Sequence, residues 1–302
     1  MENPKVTILL STYNGEKYLE TQLNSLIKQQ NVEIDILVRD DGSTDNTKQI
    51  LKAWENKSLL DWYEGENLKP TRSYLDLMKK AENRDSDYYA FCDQDDFWFE
   101  KKLDMAIQNI SLKTPSLYYS DTILVDEELN KIMKSEFIKS KLSFHEVLMK
   151  NNASGCTMVF NKKLLKIINS FDSANLSGIP LHDHWTHIIC LAVNGETFYD
   201  ENSYIYYRQH NDNVIGGSRS LFNKIINNSL FNNKNTRNKW ATNLLFGYGN
   251  FIDNEKLILL KLIKNYKDSF WHKIKLIKKL NIKKISLINR FIIYINIIFG
   301  KL

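Results

Sequence analysis

Short apolar runs alternate with helix-period segments in the first hundred residues, and this alternation constrains the fold more than any other feature. Three of these runs are Val6–Leu10, Ile34–Val38 and Tyr88–Cys92, each the length of a buried strand. The alternation predicts an α/β fold with a mostly parallel central sheet covered by helices. Polar clusters follow the same three runs, at Ser11–Asn14, Asp40-Asp41 and Asp93–Asp96. Because open parallel sheets bind ligands beyond the carboxyl ends of their strands, we expect a functional site at these clusters.

The stretch Phe91-Cys-Asp-Gln-Asp-Asp-Phe-Trp98 places three carboxylates at the end of an apolar run. Carboxylates held this close repel one another unless a cation or hydrogen-bond donors compensate. Mg²⁺ or Mn²⁺ prefers such oxygen ligands and commonly binds phosphates as well. The alternative is an exposed turn, in which Asp95 or Asp96 stands at the start of a helix and interacts favourably with its dipole. The apolar flanks and the two other polar clusters favour the metal site.

The stretch Asp40-Asp-Gly-Ser-Thr-Asp45 also has two interpretations. Gly42 permits a tight turn, and the hydroxyl of Ser43 or Thr44 can cap the following helix. A capped strand–helix turn needs only one of the two aspartates, however. A second carboxylate can accept the N3–H of uracil or thymine, a donor that cytosine lacks. The sequence leaves a simple turn and a base-binding site both open.

Composition describes a globular chain with a charged tail. Hydrophobic residues make up 43% and charged residues 25% of the 302 residues, which is ordinary for a globular protein. The three cysteines are few, odd in number and widely spaced, so we expect free thiols in a reducing compartment. The first residues lack the apolar region of a signal peptide. These features predict a cytoplasmic protein without a disulfide framework.

Residues 218–302 are rich in Lys, Asn and Ile and are predicted to be helical, forming an extension to a catalytic domain of residues 1–217. From Asp253 to Leu302 there are 12 basic and 3 acidic residues, so 12 − 3 = +9, and the remainder carries 5 − 9 = −4. The apolar run Phe291–Phe299 is too short to span a bilayer. Helices lying in an anionic membrane surface fit this pattern. An ordinary helical cap with a solvated basic face is the alternative, and nucleic-acid binding is disfavoured because no nucleic-acid-binding motif accompanies the lysines.

Taken in order, the stretches at residues 6–15, 40–45 and 93–98 resemble the serial motifs of family 2 glycosyltransferases with the GT-A fold, which is Rossmann-like. The resemblance covers roughly residues 4–215. The version Asp93-Gln-Asp-Asp-Phe-Trp98, with Leu181-His-Asp-His-Trp185 and Tyr207–Asn213 downstream, is most similar to the rhamnosyltransferase-type branch. That branch builds bacterial surface polysaccharides.

The resemblance implies roles for the donor-side residues. Thr12, Tyr13 and Asp41 would hold the nucleotide base, Asp40 would support their pocket, and Arg72 would contact base or phosphate. Asp93-Gln94-Asp95 would be the DXD element. Asp95 and His210 would then bind a divalent Mg²⁺ or Mn²⁺, with Asp93 and Asp96 near the ribose, metal or donor sugar, and Gly155 beside that sugar.

The resemblance also makes Asp183 the catalytic base. An inverting transfer needs a carboxylate that takes the proton of the acceptor hydroxyl as its oxygen attacks the anomeric carbon. The alternative is that Asp183 only caps the helix that follows it. His184 stands where many relatives have an aromatic residue, a departure that concerns the acceptor pocket.

The sequence therefore predicts an inverting, metal-dependent hexosyltransferase that uses a dTDP- or UDP-linked sugar. Its acceptor would be a glycan or lipid-linked glycan at the cytoplasmic face of the membrane. A sugar-phosphate nucleotidyltransferase is the nearest enzymatic alternative. It would need a loop rich in Gly and containing Arg after the first strand to hold a triphosphate, whereas Ser11–Glu16 contains one Gly and no Arg. A non-catalytic scaffold that binds nucleotide sugar or membrane is the other alternative, and it could dispense with Asp95 and Asp183.

Overall fold

The computed structural model describes residues 3–134, 140–171, 177–210 and 236–302. The strands within these ranges are β1 Lys5–Thr12, β2 Glu33–Asp40, β3 Asp61–Glu64, β4 Tyr88–Asp93, β5 Phe97–Trp98, β6 Ser116–Val125, β7 Lys131–Lys134, β8 Val159–Asn161 and β9 Glu196–Arg208. The helices are α1 Leu19–Leu26, α2 Thr47–Glu55, α3 Lys69–Ala81, α4 Lys102–Ile107, α5 Phe144–Met149, α6 Lys162–Asn169, α7 His182–Ala192, α8 Thr236–Tyr248, α9 Asn254–Asn265, α10 Phe270–Lys279 and α11 Leu287–Ile298.

The described strands form one sheet in the order β3-β2-β1-β4-β8-β6-β9-β5, with β7 paired to β6. The β3-β2-β1-β4 half is parallel, as its strand–helix alternation predicts. The second half is mixed: β8 runs antiparallel to β4 and β6, and β9 runs parallel to β6. The register of β9 against β6 shifts along its length.

The parallel strands are apolar without interruption because both faces of the sheet are covered. Val6, Ile8 and Leu10 of β1 join the core beneath α1, α2 and α4. Leu9, which alternates with them along the strand, joins the core on the other face of the sheet, formed with α3 and α5 to α7. Alternate side chains of a strand point to opposite faces, so a strand covered on both sides reads as a continuous apolar run.

The carboxyl ends of β1, β2 and β4 meet at one edge because their register is aligned. Thr12 lies opposite Asp40 in the β1–β2 pair, and Ser11 lies opposite Asp93 in the β1–β4 pair. The three polar clusters that follow these strands are therefore neighbours in space, as predicted.

The C-terminal helices share their core with the sheet. Trp240 of α8, Leu259 of α9, Leu276 of α10 and Ile297 of α11 are buried in the same apolar cluster as Phe160 of β8. The predicted boundary near residue 218 lies outside the described residues, as do Asn211–Asn213 of the downstream motif. Among the described helices, none combines the length and the apolar character needed to cross a bilayer.

Candidate active site

A cleft of about 730 Å³ lies beyond the carboxyl ends of β1 and β4 and reaches the start of α7. Eight of the residues singled out from sequence line it: Thr12, Tyr13, Asp41, Asp93, Asp95, Gly155, Asp183 and His210. The fold thus brings together residues that are up to two hundred positions apart in the chain. A cleft of this size holds a ligand the size of a nucleotide sugar.

The first acidic turn, Asp40–Ser43, is held by hydrogen bonds to the buried Asp40. This carboxylate accepts hydrogen bonds from Thr12 Oγ1 at 3.0 Å, from Ser43 Oγ at 2.5 Å, and from the backbone amides of Gly42 and Ser43 at 3.1 and 2.8 Å. Gly42 adopts φ +79°, which favours glycine. Asp40 is not among the cleft-lining residues, so it shapes the turn from behind, in keeping with a supporting role.

Asp41 faces the cleft from the same turn and is paired with a buried arginine. Its backbone amide donates to Thr12 O at 2.8 Å, and its carboxylate forms an ion pair with Arg39. The guanidinium of Arg39 also donates to Asp76 at 3.1 Å and to Glu66 O at 3.0 Å. A side chain at Gly65 would clash with this guanidinium, since an added Cβ would lie 2.5 Å from Arg39 Nη2. Asp41 is therefore an acceptor that is oriented by Arg39 and lines the cleft.

Gln94 connects the end of β1 to the end of β4. Its side-chain amide donates to Tyr13 O at 3.1 Å and accepts from Tyr13 N at 2.9 Å. Tyr13 itself is 47% exposed, so its ring is available to a ligand in the cleft. The middle residue of the Asp-Gln-Asp stretch thus aligns the two strand ends.

The second acidic turn, Asp93–Asp96, is electrostatically unbalanced. Asp93 accepts a hydrogen bond from Tyr74 OH at 2.8 Å, and Asp96 accepts one from the Arg208 amide at 3.2 Å. Burial together with the charge of Asp95 nevertheless raises the pKa of Asp93 to about 7. The pKa of Asp96 is also raised, by burial and by the two neighbouring carboxylates. The existing hydrogen bonds do not offset the crowding of negative charge.

A divalent cation fits the donor set of this turn, and two groupings of ligand atoms are possible. Asp93, Asp96 and Cys156 hold ligand atoms within 4.8 Å of one another, but Asp96 and Cys156 do not line the cleft, and burial raises the pKa of the Cys156 thiol. Asp95 and His210 line the open cleft, and His210 Nε2 lies 2.8 Å from Asp95 Oδ2. Carboxylate oxygen and imidazole nitrogen that line the cleft suit Mn²⁺ or Mg²⁺ better than a buried protonated thiol does.

Asp183 lies in the first turn of α7 and lines the same cleft as Asp93 and Asp95. Its Oδ1 accepts from the His184 amide at 2.6 Å, and its Oδ2 lies 3.4 Å from Asn151 Nδ2. Burial raises the pKa of Asp183 to about 6. Gly155 allows the chain to pass beside it, because an added Cβ would lie 3.2 Å from Asp183 Cβ and 2.9 Å from His182 Nε2. A carboxylate with this pKa can be ionised at neutral pH and can still accept a proton.

The three histidines of α7 differ in their surroundings. His182 lines the cleft and stacks on Tyr74 with ring centroids 3.8 Å apart. His184 donates from Nε2 to Val147 O at 2.6 Å, and His187 is fully buried beside Tyr119. Burial lowers the pKa of all three, to about 3, 4 and 3 respectively. All three are buried because α7 packs against α3, α5 and the sheet.

Three predicted residues, Asp40, Asp96 and Arg72, do not line the cleft, and several residues that were not predicted do. Arg72 is exposed on α3 and is not among the cleft-lining residues, whereas Lys69 and Pro70 from the same stretch are. Cleft-lining residues to which sequence reasoning assigned no role include Lys17, Tyr74 and Glu127. Gln94 and His182 also line the cleft, and both stand inside motifs recognised from the sequence. Glu127 carried no signal in the sequence, because its contact with Lys17 and Tyr18 joins distant segments.

Comparison with known proteins agrees with this geometry. The family model described as glycosyl transferase family 2 matches residues 7–168. The chain is 28% identical to dTDP-rhamnosyl transferase RfbG of Shigella flexneri over 85% of its length and 89% of that protein. It is 28% identical to the UDP-Glc:alpha-D-GlcNAc-diphosphoundecaprenol beta-1,3-glucosyltransferase WfgD of Escherichia coli, over 55% of the chain and 63% of that protein.

Solved structures show the same fold. The Staphylococcus aureus TarS 1–349 complex with UDP-GlcNAc aligns with a TM-score of 0.56 at 18% identity, over 91% of this chain and 79% of that one. The Pyrobaculum calidifontis mannosyltransferase PcManGT, in complex with GDP-Man and Mn²⁺, aligns with a TM-score of 0.53 at 13% identity, over 100% and 89%. The cleft lies at the carboxyl ends of the strands of a GT-A sheet, and the family model matches more than half of the chain. The chain therefore belongs to glycosyl transferase family 2.

Proposed function

We propose that this glycosyltransferase is an inverting, metal-dependent enzyme that transfers a hexose, rhamnose being the leading candidate, from a nucleoside diphosphate to a glycan of a bacterial surface polysaccharide. The observation that carries the proposal is that Asp183, Asp95 and His210 all line one cleft. Asp183 is near enough to the acidic turn for its charge to contribute to the raised pKa of Asp93. A base on one side and a diphosphate site on the other is the arrangement that in-line displacement requires.

In the proposed reaction, Asp183 holds the acceptor hydroxyl by accepting its hydrogen bond. The hydroxyl oxygen forms a bond to the anomeric carbon as the bond from that carbon to the diphosphate oxygen breaks, and the proton passes to an Asp183 carboxylate oxygen. Asn151 and the His184 amide orient that carboxylate. A divalent cation bound by Asp95 and His210 would neutralise charge on the leaving diphosphate.

On the donor side, Asp41 would accept the N3–H of uracil or thymine, and Tyr13 would cover the base. The ion pair with Arg39 orients Asp41, which suits an acceptor of a ring N–H. The relatives named for dTDP-rhamnose and UDP-glucose transfer support a dTDP- or UDP-linked donor. Asp93 and Asp96 would lie near ribose, metal or sugar, and Gly155 would leave room for the sugar beside Asp183.

On the acceptor side, the proposal is a glycan, carried on lipid at the inner face of the cytoplasmic membrane. The relative named for transfer to a diphosphoundecaprenol-linked sugar supports this class. A non-catalytic scaffold would not need a buried carboxylate with a raised pKa in the cleft. Family membership likewise argues against a nucleotidyltransferase.

Replacement of Asp183 by Asn tests the proposed base. The variant should bind dTDP-rhamnose or UDP-glucose with Mn²⁺ as the wild type does, because the change leaves the donor side intact. Turnover should fall by about 10²- to 10⁴-fold, the usual contribution of a general base. Donor affinity would be measured by calorimetry and turnover by release of the nucleoside diphosphate.

Asp85→Asn is the matched control, since Asp85 is an exposed carboxylate away from the cleft. That variant should retain full turnover. Undiminished turnover in Asp183→Asn would remove Asp183 as the base. Failure of the wild type to bind either donor with Mn²⁺ would count against the proposed donor class.

A further inference from the structure

An exposed apolar face lies on the last two helices and the residues that flank them. It consists of Phe270, Trp271, Leu287, Ile288, Phe291 and Phe299, whose exposures lie between 61% and 75%. Large apolar side chains exposed singly are ordinary, whereas six on adjoining helices form a patch of the kind that marks an interaction site.

Helix α11 is apolar on both of its sides. Asn296 and Ile297 are buried against the body of the protein, and Ile293 packs on the same core. On the outward side, Ile288, Phe291 and Ile298 recur at three- to seven-residue steps, so they form one stripe along the helix. A helix that merely caps a domain exposes a polar side to water. The outward stripe therefore needs a partner that is itself apolar.

The two helices present their apolar residues together. Lys273 Nζ of α10 donates to Ile298 O at the end of α11, at 2.8 Å. This bond brings the start of α10, with Phe270 and Trp271, beside Phe299. Trp271 is the most exposed aromatic residue of α10, at 73%. Tryptophan is favoured at the boundary between water and lipid, because its ring is apolar and its N–H is polar.

Basic side chains are exposed on the same segment as the apolar face. Lys275, Lys278 and Lys283 are exposed on α10 and the turn that follows it, and residues 253–302 carry the net +9 found in the sequence. A second copy of this chain would bring the same positive charge to the contact, which is unfavourable. An anionic lipid surface satisfies both the charge and the apolar side chains.

We propose that this face docks onto the surface of an anionic membrane, with α10 and α11 lying in the interface. Helix α11 has 12 residues, a length of about 18 Å at 1.5 Å per residue, so it is far shorter than the roughly 30 Å of a bilayer core. The lysines would contact lipid headgroups, and the six apolar side chains would enter the boundary below them.

The docked face is joined to the acceptor side of the cleft through α5. The backbone amide of Asn281 donates to His145 Nδ1 at 3.1 Å, and that of Lys284 donates to Glu146 Oε1 at 2.6 Å. The chain that leaves α5 supplies Asn151 to Asp183 and Gly155 to the cleft. This orientation, which rests on the proposed function, would hold the Asp183 side of the cleft in a fixed relation to a lipid-linked acceptor.

Vesicle cosedimentation of the full chain tests the docking. Vesicles of phosphatidylglycerol and phosphatidylcholine should bind the wild type at least tenfold more tightly than vesicles of phosphatidylcholine alone, and high salt should weaken the binding. The double variant Trp271→Ser/Phe291→Ser should lose at least tenfold in affinity. The matched control Phe246→Ser/Phe251→Ser removes two aromatic residues that are 78% and 48% exposed outside the face, and it should bind like the wild type.

A second measurement does not depend on the folding of the double variant. Brominated phosphatidylglycerol should quench wild-type tryptophan fluorescence, and Trp271→Phe should remove most of that quenching. Equal binding to both vesicle types, or equal loss in the control variant, would overturn the proposal. So would a concentration-dependent dimer abolished by Trp271→Ser/Phe291→Ser, since the occupant would then be a second copy. Vesicle binding requires no turnover, so its failure is distinguishable from failure of the proposed reaction.

Discussion

The two acidic turns at the edge of the sheet are alike in sequence and opposite in electrostatics. Each follows a buried parallel strand and brings adjacent aspartates. In the first, Asp40 accepts four hydrogen bonds from its own turn and from Thr12, and Asp41 is paired with the buried Arg39. In the second, crowding and burial raise the pKa of both Asp93 and Asp96 despite their hydrogen bonds.

The difference shows that acidity alone does not define a cation site. A carboxylate whose charge is already balanced acts as a structural brace or as an oriented acceptor for a neutral donor. A group of carboxylates that the protein leaves unbalanced gains most from a bound cation. A structural turn describes Asp40 well, but the predicted cap is wrong, because the N-cap of α2 is Asn46 and neither Ser43 nor Thr44 caps that helix. A structural turn does not describe Asp93–Asp96.

The largest expected effect comes from removing a charge from the second turn. Asp95→Asn keeps the shape of the side chain but removes the charge beside His210, so turnover should fall by about 10²- to 10³-fold, as when one group that stabilises developing charge is lost. Donor binding should lose its dependence on Mn²⁺. Calorimetry with and without EDTA measures the second effect. If EDTA weakened donor binding as much in this variant as in the wild type, the cation would be bound by other residues.

The same kind of change in the first turn should act on folding. Asp40→Ala leaves the Thr12 hydroxyl and two backbone amides without their acceptor, and buried donors without partners are costly. We expect a loss of about 3 kcal/mol in the free energy of unfolding. Urea denaturation would measure it, and Mn²⁺ should not restore it. Full stability with selective loss of metal binding would reverse the roles assigned to the two turns.

A smaller effect should appear in the pH dependence of stability without metal. The pKa of Asp93 in the folded protein, about 7, is above the value of about 4 expected when unfolded. The folded state therefore binds the extra proton between these values, so the contribution of Asp93 to stability is fully present below about pH 4 and is lost as pH rises through 7. Burial raises the pKa of Asp183 to about 6, which adds in the same direction.

The expected fall is roughly 1 to 2 kcal/mol, since solvent in the cleft screens Asp93. Urea midpoints at pH 5 and pH 7.5 would measure it. Mn²⁺ should flatten the dependence, because a cation stabilises the ionised carboxylates. In the Asp93→Asn variant the fall should be reduced. Stability that rises over this interval would contradict the imbalance assigned to the second turn.

The sequence by itself determined the parallel half of the sheet and the edge at which the site lies. The apolar runs at β1, β2 and β4 are continuous because both faces are buried, and their polar ends are fixed by the parallel register. Patterns of this kind depend only on residues that are close in sequence. The motifs from Thr12 to Asp96 could therefore be recognised without the structure. Asp183 and His210 were singled out by resemblance to the family, and the fold brings both into the same cleft.

Tertiary structure determined the burial and the charged neighbours of each carboxylate. The pairing of Arg39 with Asp41, the stacking of His182 on Tyr74 and the approach of His210 to Asp95 join segments whose contacts leave no periodic trace in the chain. The mixed half of the sheet and the packing of the C-terminal helices on α5 are equally non-local. Charge balance and exposure depend on all neighbours at once, which is why composition could suggest a basic, apolar tail but only the folded chain reveals which of its side chains face outward.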